Sequence, residues 1–340
     1  MPLRDNYAPL FLILFLLLSP ALSGQDIHFS QFYASPQTLS PALTGVHEGS
    51  YRATAIYRNQ WRSVSTAFHT YGAAFDIKLF EGKLKKDVFA VGVNFTGDKS
   101  GDGDLGLLIF NGSVAYHKRM GKNHFLGLGL QIGYNQRSID YQSLAFPNQF
   151  TGVDFDPNIP NNEPITDDRF GYLDVNIGIA WQGLFSEKFS ASAGGAVYHV
   201  HEPSESFLGE SAPLRRRYVG HAGFRFKLSD LLTLTPNMIY LHQAKAQEVN
   251  IGAALEFGFG EERKTVASIG GWYRFNDAAI VTASFDVKNL RIGMAYDFNT
   301  SGLRAASSGR GAFEIAIQYT GFIKYSSPVT RPVLVPCPRL

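Results

Sequence analysis

The sequence is poor in cysteine and in charge, and it has no long apolar run. Cys337 is the only cysteine among 340 residues, so an internal disulfide cannot form. Charged residues make up 18% of the chain, and the net charge of +2 indicates no polyanionic partner such as nucleic acid. A transmembrane helix needs about 20 apolar residues, whereas the longest run, residues 10–18, is far shorter. Together with a mean hydropathy of -0.08, this excludes a helical membrane protein.

The apolar run at residues 10–18 is typical of an export signal. Arg4 precedes it, Pro20 ends it, and small residues at 21–24 offer a cleavage site before Gln25. We therefore predict a signal peptide over residues 1–24. Because no cysteine lies near the cleavage site, a lipid anchor is not expected there.

Glycine, with 34 residues, and aromatic residues, at 14%, are abundant, and they occur in alternating patterns. One face of the segment 123–137 is wholly apolar and consists of Leu126, Leu128, Leu130, Ile132 and Tyr134. The residues between them are mostly glycine, amide or charged. A period of two places the two sets on opposite faces of a β-strand. A soluble sandwich and a transmembrane barrel both produce this pattern, so one segment leaves both open.

The same alternation recurs and predicts about fourteen strands, an even number as single-chain outer-membrane barrels require. The predicted strands are 51–58, 66–79, 87–96, 106–118, 123–137, 170–183, 188–200, 215–228, 231–242, 247–258, 264–274, 278–287, 289–298 and 311–320. The segment 231–242 is the least strand-like, because Pro236 removes a ladder donor. Several acidic residues fall on the polar face and are predicted to line a lumen: Asp174, Glu248, Glu256, Asp286 and Glu314.

Loop lengths distinguish the two fold classes. The long predicted connections are 97–105, 138–169, 201–214 and 299–310, and all follow odd-numbered strands. Outer-membrane barrels have short periplasmic turns and long outer loops, whereas a soluble exported sandwich or propeller has no reason to sort its loops this way. The sequence therefore predicts an all-β fold, a single transmembrane β-barrel of about 14 antiparallel strands over residues 51–320.

The two flanking segments are not strand-like. Residues 25–50 contain Pro36 and Pro41 together with several aromatic residues, so we predict a periplasmic or lumen-plugging segment that packs against something. Residues 321–340 contain four prolines and form a predicted periplasmic tail. Extended proline-rich tails are either ligands for a partner groove or inert ends.

Several motifs resemble the PorP/SprF family. They are QD at 25–26, FSQFY at 29–33, SP at 35–36, SPA at 40–42, Gly45, YRNQW at 57–61, FD at 75–76 and CPR at 337–339. Ser35 and Ser40 depart from the family, which usually has asparagine before each proline. The resemblance implies an outer-membrane component of the type IX secretion system of gliding and related Bacteroidetes, associated with secretion or surface retention of large secreted proteins and adhesins.

The resemblance further implies a non-enzymatic platform in the outer membrane. Its outer loops would hold the C-terminal domain of a secreted protein, and its periplasmic segments would meet the secretion machinery. Residues predicted to contact a partner or to plug the lumen are Phe29, Gln31, Phe32, Tyr33, Pro36 and Pro41. Asn59, Gln60 and Trp61 are predicted at the first outer turn, where Trp61 is either a partner contact or an interfacial anchor. The alternative function is a transporter for small hydrophobic solutes, with the N-terminal segment as a hatch.

Catalytic and metal-binding motifs are lacking. Asp98, Asp102 and Asp104 lie in a glycine-rich stretch that suggests calcium, but their spacing does not fit an EF-hand and favours a flexible acidic loop over a calcium site. The nine histidines show no metal-ligand spacing, and no nucleophile elbow or phosphate-binding loop occurs. We therefore predict no enzyme, cofactor or metal. Acidic residues of 154–168 could pair with the arginines at 215–217 across a rim, or form a binding surface for an external protein.

Overall fold

A computed structural model describes residues 26–62, 66–80, 84, 86–163, 167–207, 211–259, 265–302 and 304–323. The predicted signal peptide and most of the predicted tail, 324–340, lie outside these residues. In the described part, fourteen antiparallel strands form one closed barrel in which each strand pairs with its neighbours in sequence and β1 pairs with β14. The predicted fold class is thereby confirmed.

The strands match the predicted set in number and order. Their bounds are β1 Tyr51–Gln60, β2 Phe68–Leu79, β3 Val88–Ser100, β4 Leu105–Met120, β5 His124–Ser138, β6 Arg169–Ser186, β7 Phe189–Tyr198, β8 Arg217–Lys227, β9 Leu232–Gln243, β10 Ala246–Phe259, β11 Thr265–Arg274, β12 Ala278–Val287, β13 Leu290–Asn299 and β14 Arg310–Gly321.

The alternation in β5 sets which side chains face outward. Leu128 is 61% exposed and Ile132 54%, whereas Gln131 between them is fully buried inside the barrel. Leu130 lies opposite Ile177 of β6 and Val114 of β4, so the outward apolar residues of adjacent strands join into a belt. Such a belt is solvated by lipid acyl chains in outer-membrane barrels. No helix of the described residues is both long enough and apolar enough to cross a bilayer.

Polar residues line the interior as predicted. Asp174, Glu248, Glu256 and Glu314 are each less than a tenth exposed, and Asp286 is hydrogen-bonded to Arg291. Since successive strand residues point to opposite faces, a slip of one residue would exchange the lipid-facing and lumen-facing sets. The chemistry of the two surroundings therefore fixes the register.

Pro236 lies within β9, opposite Ala253 of β10. On the other side the ladder to β8 is interrupted between the pairs Gly223–Asn237 and Phe226–Leu234. A proline lacks the N–H that a continuous ladder needs, so the strand is retained with a local gap.

The prediction of a long connection at 97–105 is wrong. β3 continues to Ser100 and β4 begins at Leu105. Asp98 lies opposite Leu107 and accepts a hydrogen bond from Thr70 Oγ1 at 2.5 Å, so it belongs to the sheet and not to a flexible acidic loop. Pairing with β2 and β4 outweighs the turn-like local composition, because both neighbouring strands extend as far toward this end of the barrel as β3 does.

The long connections 139–168, 199–216 and 300–309 lie at one end of the barrel, and the last contains a short helix, α2, Arg304–Ser307. We call this end the outer rim, because long loops face outward in outer-membrane barrels. Tight turns such as 121–123 and 187–188 lie at the other end, the periplasmic rim.

The N-terminal segment runs through the barrel. Residues 26–50, here called the plug, contain a 3-10 turn Phe32–Ala34, a short helix α1 Pro36–Leu39 and a second 3-10 turn Pro41–Leu43. Proline at the first helical position is preorganised for a turn, which explains where the last two begin. Ser50 joins β1 at the periplasmic rim. The Asp26 N–H donates to Gln243 Oε1 at 3.0 Å, at the outer end of β9.

Candidate functional site

The six N-terminal residues singled out from the sequence all lie inside the barrel. Phe29, Gln31, Phe32, Pro36 and Pro41 are buried, and Tyr33 is half-buried. Phe32 belongs to an apolar cluster that includes Leu43 of the plug and Trp272 of β11. The ring centroids of Tyr33 and Trp272 are 5.9 Å apart. The aromatic side chains thus pack against the lumen wall.

Glycines in the wall create the space that the plug fills. A Cβ at Gly129 of β5 would lie 2.3 Å from the backbone nitrogen of Ala42, and one at Gly178 of β6 would lie 2.4 Å from Ser40 Oγ. Real Cβ atoms do not approach backbone so closely. The glycine-rich lumen face therefore matches the second 3-10 turn of the plug.

Gly129→Ala is expected to displace the plug, because the nearest atoms are backbone and cannot rotate away. Overpacking of this kind destabilises the packed plug by about 1–3 kcal/mol. The rate of backbone amide hydrogen exchange in residues 36–44 should therefore rise about tenfold or more. Gly271→Ala is the matched control, since nothing lies within 4 Å of its added Cβ. Equal exchange in the two variants would contradict the packing described here.

A buried group of four charges holds the plug at Ser30 and Gln31, between its other two charged anchoring points along the chain. This middle clamp consists of Arg58, Arg274, Asp297 and Glu314. Glu314 accepts hydrogen bonds from the backbone N–H groups of Ser30 at 2.7 Å and Gln31 at 2.8 Å. The Ser30 hydroxyl donates to Asp297 at 2.7 Å, and Arg58 pairs with both carboxylates. Two arginines balance two carboxylates, so the charges are compensated although each is nearly fully buried.

A second group holds the plug near the periplasmic rim. This periplasmic clamp consists of Arg52, Asp76 and Lys78. Asp76 accepts from the Gly45 N–H at 2.7 Å and from Arg52 Nη2 at 2.8 Å. Arg52 also donates to the Leu43 and Val46 carbonyls, and Lys78 donates to the His47 carbonyl at 2.5 Å. Burial, with Arg52 and Lys78 nearby, holds the pKa of His47 well below its usual range, so that imidazole is neutral.

The first described residues are held at the outer rim. This outer clamp consists of Asp174, His199 and Arg217. Asp26 lies 2.6 Å from His199 Nε2 and 3.5 Å from Arg217 Nη1, and Asp174 lies 2.9 Å from His199 Nδ1. Burial disfavours the imidazolium, but hydrogen bonds to the two carboxylates outweigh it and raise the pKa of His199 to about 9. Burial also disfavours ionised Asp26, but Arg217 and His199 lower its pKa below the usual range.

The outer clamp should weaken in alkali. A raised His199 pKa gives stabilisation that is complete below about pH 6.5 and is lost as the pH rises through about 9. The lowered pKa of Asp26 acts in the opposite window, since that stabilisation is lost only in strong acid. We expect wild type to exceed His199→Gln in unfolding free energy, and this excess to fall by up to about 3 kcal/mol between about pH 7 and 10.

Urea unfolding in detergent measures that difference, and lysines and tyrosines that titrate in both proteins cancel from it. A difference that stays constant with pH would show that His199 does not titrate in this window. The unfolding free energy of Asp26→Asn should fall less than that of wild type over the same pH range. The reason is that one partner of the imidazolium is then neutral.

Cavities lie at both ends of the plug. The outer one has about 710 Å³ and is lined by Asp26, His28, Trp61 and Phe68 among others. The periplasmic one has about 130 Å³ and is lined by Val46, His47, Arg52 and Arg291 among others. They touch different parts of the plug, which lies between them.

Asn59, Gln60 and Trp61 lie at the outer end of β1. The Trp61 ring packs edge-on against Phe68 with centroids 4.8 Å apart, and it lines the outer cavity. Gln60 Oε1 accepts from Arg58 Nε at 3.1 Å, which connects this turn to the middle clamp. Asn59 Nδ2 lies 3.2 Å from His69 Nδ1.

The clamp residues Arg58, Arg274, Arg52 and Asp76 were not identified as functional from the sequence. Alternation could have assigned them to the lumen, but their joint position depends on barrel closure. The arginines at 215–217 do not pair with the acidic residues of 154–168 in the described part of the chain. Arg215 approaches Glu202 at 3.9 Å, Arg216 donates to the Val200 carbonyl, and Arg217 faces Asp26.

No cluster of three or more histidine, cysteine, aspartate or glutamate residues is arranged to hold a metal in the part of the chain that the structure describes. The described lumen is instead occupied by paired charges and by the plug. Its geometry is that of an outer-membrane β-barrel closed by its own N-terminal segment.

Comparison with known proteins identifies the family. The family model for the type IX secretion system membrane protein PorP/SprF matches residues 21–319, so the chain belongs to the PorP/SprF family. This places the protein in the outer membrane, as predicted. The match includes the plug as well as the barrel. No curated protein matches the sequence.

Solved structures share the fold at low sequence identity. The toluene transporter TodX of Pseudomonas putida is 9% identical, with a TM-score of 0.52 over 86% of this chain and 94% of that chain. The monoaromatic hydrocarbon channel CymD is also 9% identical, with a TM-score of 0.50 over 86% and 94%. At this identity the likeness concerns the barrel fold alone.

Proposed function

We propose that the protein is a non-enzymatic, closed platform of the type IX secretion machinery. Its outer loops hold the C-terminal domain of a secreted surface protein or adhesin, and its periplasmic side contacts secretion-system components. The observation that carries this proposal is the plug, which is held near the periplasmic rim by one group of charges and toward the outer rim by two others. A lumen occupied in this way supports a role at the two surfaces of the barrel, and not one as an open conduit for cargo.

The plug residues and the first outer turn have separate roles in this proposal. Phe29, Gln31, Phe32, Tyr33, Pro36 and Pro41 keep the lumen filled and hold the periplasmic end of the plug in a fixed shape. Asn59, Gln60 and Trp61 contribute to the partner-facing mouth of the outer cavity. Burial of all of the first set except the half-buried Tyr33 favours a structural contribution over direct partner contact while the plug is in place.

Affinity purification of the barrel from solubilised outer membranes tests the platform. Wild type is expected to retain a secreted surface protein, identified by mass spectrometry. A variant in which residues 141–156 are replaced by a short glycine-serine linker should retain much less. The matched control replaces the periplasmic turn 121–123 with glycine and serine. Equal recovery in both variants, or no secreted protein with wild type, would contradict a platform that acts through its outer loops.

The second candidate function is transport of small hydrophobic solutes, with the plug as a hatch. It is favoured by the shared fold with the hydrocarbon channels and by the outer cavity of about 710 Å³. Solute-dependent conductance or uptake by purified protein in liposomes would favour this function. Stable capture of a secreted domain without uptake would favour the platform.

A further inference from the structure

The longest outer connection carries a small hairpin with an apolar tip. Phe150 and Phe155 face each other across an antiparallel bridge, with ring centroids 5.2 Å apart. Both rings are about half exposed, and Val153 at the turn between them is 92% exposed. We call these three residues the loop tip. Burial of apolar surface is favourable, so an exposed group of this kind favours association.

Backbone hydrogen bonds give the loop tip a defined shape. The Asp156 N–H donates to the Gln149 carbonyl at 3.0 Å, and the Thr151 N–H donates to the Asp154 carbonyl at 2.9 Å. Gln149 Nε2 donates to the Ile159 carbonyl at 2.8 Å and ties the hairpin to the next turn. The three apolar side chains are therefore presented together.

The charge around the loop tip has one sign. Residues 139–168 contain no lysine or arginine, and their acidic residues are Asp140, Asp154, Asp156, Glu163, Asp167 and Asp168. Within the described residues none of these carboxylates forms an ion pair with a cation. Backbone and side-chain hydrogen bonds from Asn158 lower the pKa of Asp156, so this carboxylate stays ionised.

We propose that the loop tip inserts into an apolar pocket of a protein domain whose rim carries lysine or arginine. The proposal rests on the platform function and names the partner chemistry of its outer face. Complementary charge selects this occupant, because an acidic border attracts a basic one. A lipid surface is disfavoured, since segments that anchor in lipid combine apolar residues with lysine and arginine, and carboxylates repel anionic headgroups.

Site-specific crosslinking of the full chain in the cells that make it provides the first step of the test. A benzophenone amino acid is placed at Val153, and the matched control carries it at Ser211, which is exposed on the neighbouring outer connection. The protein captured from Val153 is identified, purified and titrated against the detergent-solubilised barrel. The titration is made in about 50 mM and about 500 mM salt, a range over which exposed charges become screened.

Two variants then separate the apolar and charged contributions. Combined Phe150→Ser, Val153→Ser and Phe155→Ser should weaken binding about tenfold or more at both salt concentrations. Combined Asp154→Asn, Asp156→Asn, Asp167→Asn and Asp168→Asn should weaken binding in low salt and remove most of its salt dependence. Wild-type affinity in both variants would overturn the proposal, as would crosslinking from Val153 to lipid only.

The control position distinguishes this inference from the platform function. A secreted protein crosslinked from Ser211 but not from Val153 would overturn the role of the loop tip and leave the platform standing. Absence of any secreted protein at either position would overturn both.

Discussion

Deletion of residues 29–44 is expected to turn the closed barrel into a conducting pore. In the intact protein these residues lie between the outer and periplasmic cavities, while the fourteen strands pair only with each other. Their removal leaves a space whose lining includes many charged and amide side chains. We expect conductance in planar bilayers at least about tenfold above that of intact protein, since barrels somewhat larger than this one hold aqueous channels.

A deletion of the same length in the outer connection, residues 141–156, is the matched control. Residues 1–28 are kept in the first variant so that export is unaffected. The control should have the same low conductance as wild type, because the plug and its clamps remain. If the plug-deletion variant folds but its conductance does not rise above that of wild type, the outer loops, and not the plug, close the lumen.

Glu314→Ala is expected to free the plug at Ser30 and Gln31. The side chain is fully buried, accepts two consecutive backbone N–H groups and pairs with Arg58. Its removal leaves Asp297 as the one carboxylate that pairs with Arg58 among the described residues, and it leaves both amides without their acceptor. Breaking a buried ion pair costs about 3–5 kcal/mol, so exchange of the Ser30 and Gln31 amides should rise at least about a hundredfold.

A double-mutant cycle with Arg58→Ala isolates the pair. The double variant should lose much less unfolding free energy than the sum of the losses in the two single variants, because neither charge of the pair is then left without the other. Glu314→Gln keeps an acceptor oxygen and should show an intermediate effect. Additive costs, or unchanged exchange in Glu314→Ala, would mean that the plug is held mainly by its apolar contacts with Trp272 and Leu43.

The strands could be predicted because their signal is local. In β5 the lipid-facing and lumen-facing residues alternate without a break, and this pattern follows from the pleat and from two different solvents. Even Pro236 did not remove β9, since both neighbouring strands supply partners. The prediction failed at Asp98, where local composition favours a turn but pairing with β2 and β4 extends the strand.

The candidate site was only partly accessible to prediction. Phe29 and Phe32 were recognised as too apolar for a solvated segment, which indicates packing but does not name the surface. Arg58 lies in the motif at 57–61 and Glu314 on the predicted polar face, but nothing local in the sequence pairs them. They are far apart in sequence and become neighbours only because β1 pairs with β14 and closes the barrel.

Chain order and residue type were thus enough to define an outer-membrane barrel, its strand number and which face of each strand meets lipid. These properties depend on neighbours one or two residues away and on the membrane as solvent. The course of the plug and the three clamps depended on closure of the barrel, since Ser30 reaches Glu314 and Asp26 reaches His199 only across the enclosed space. Contacts over such separations leave no periodic trace in the sequence.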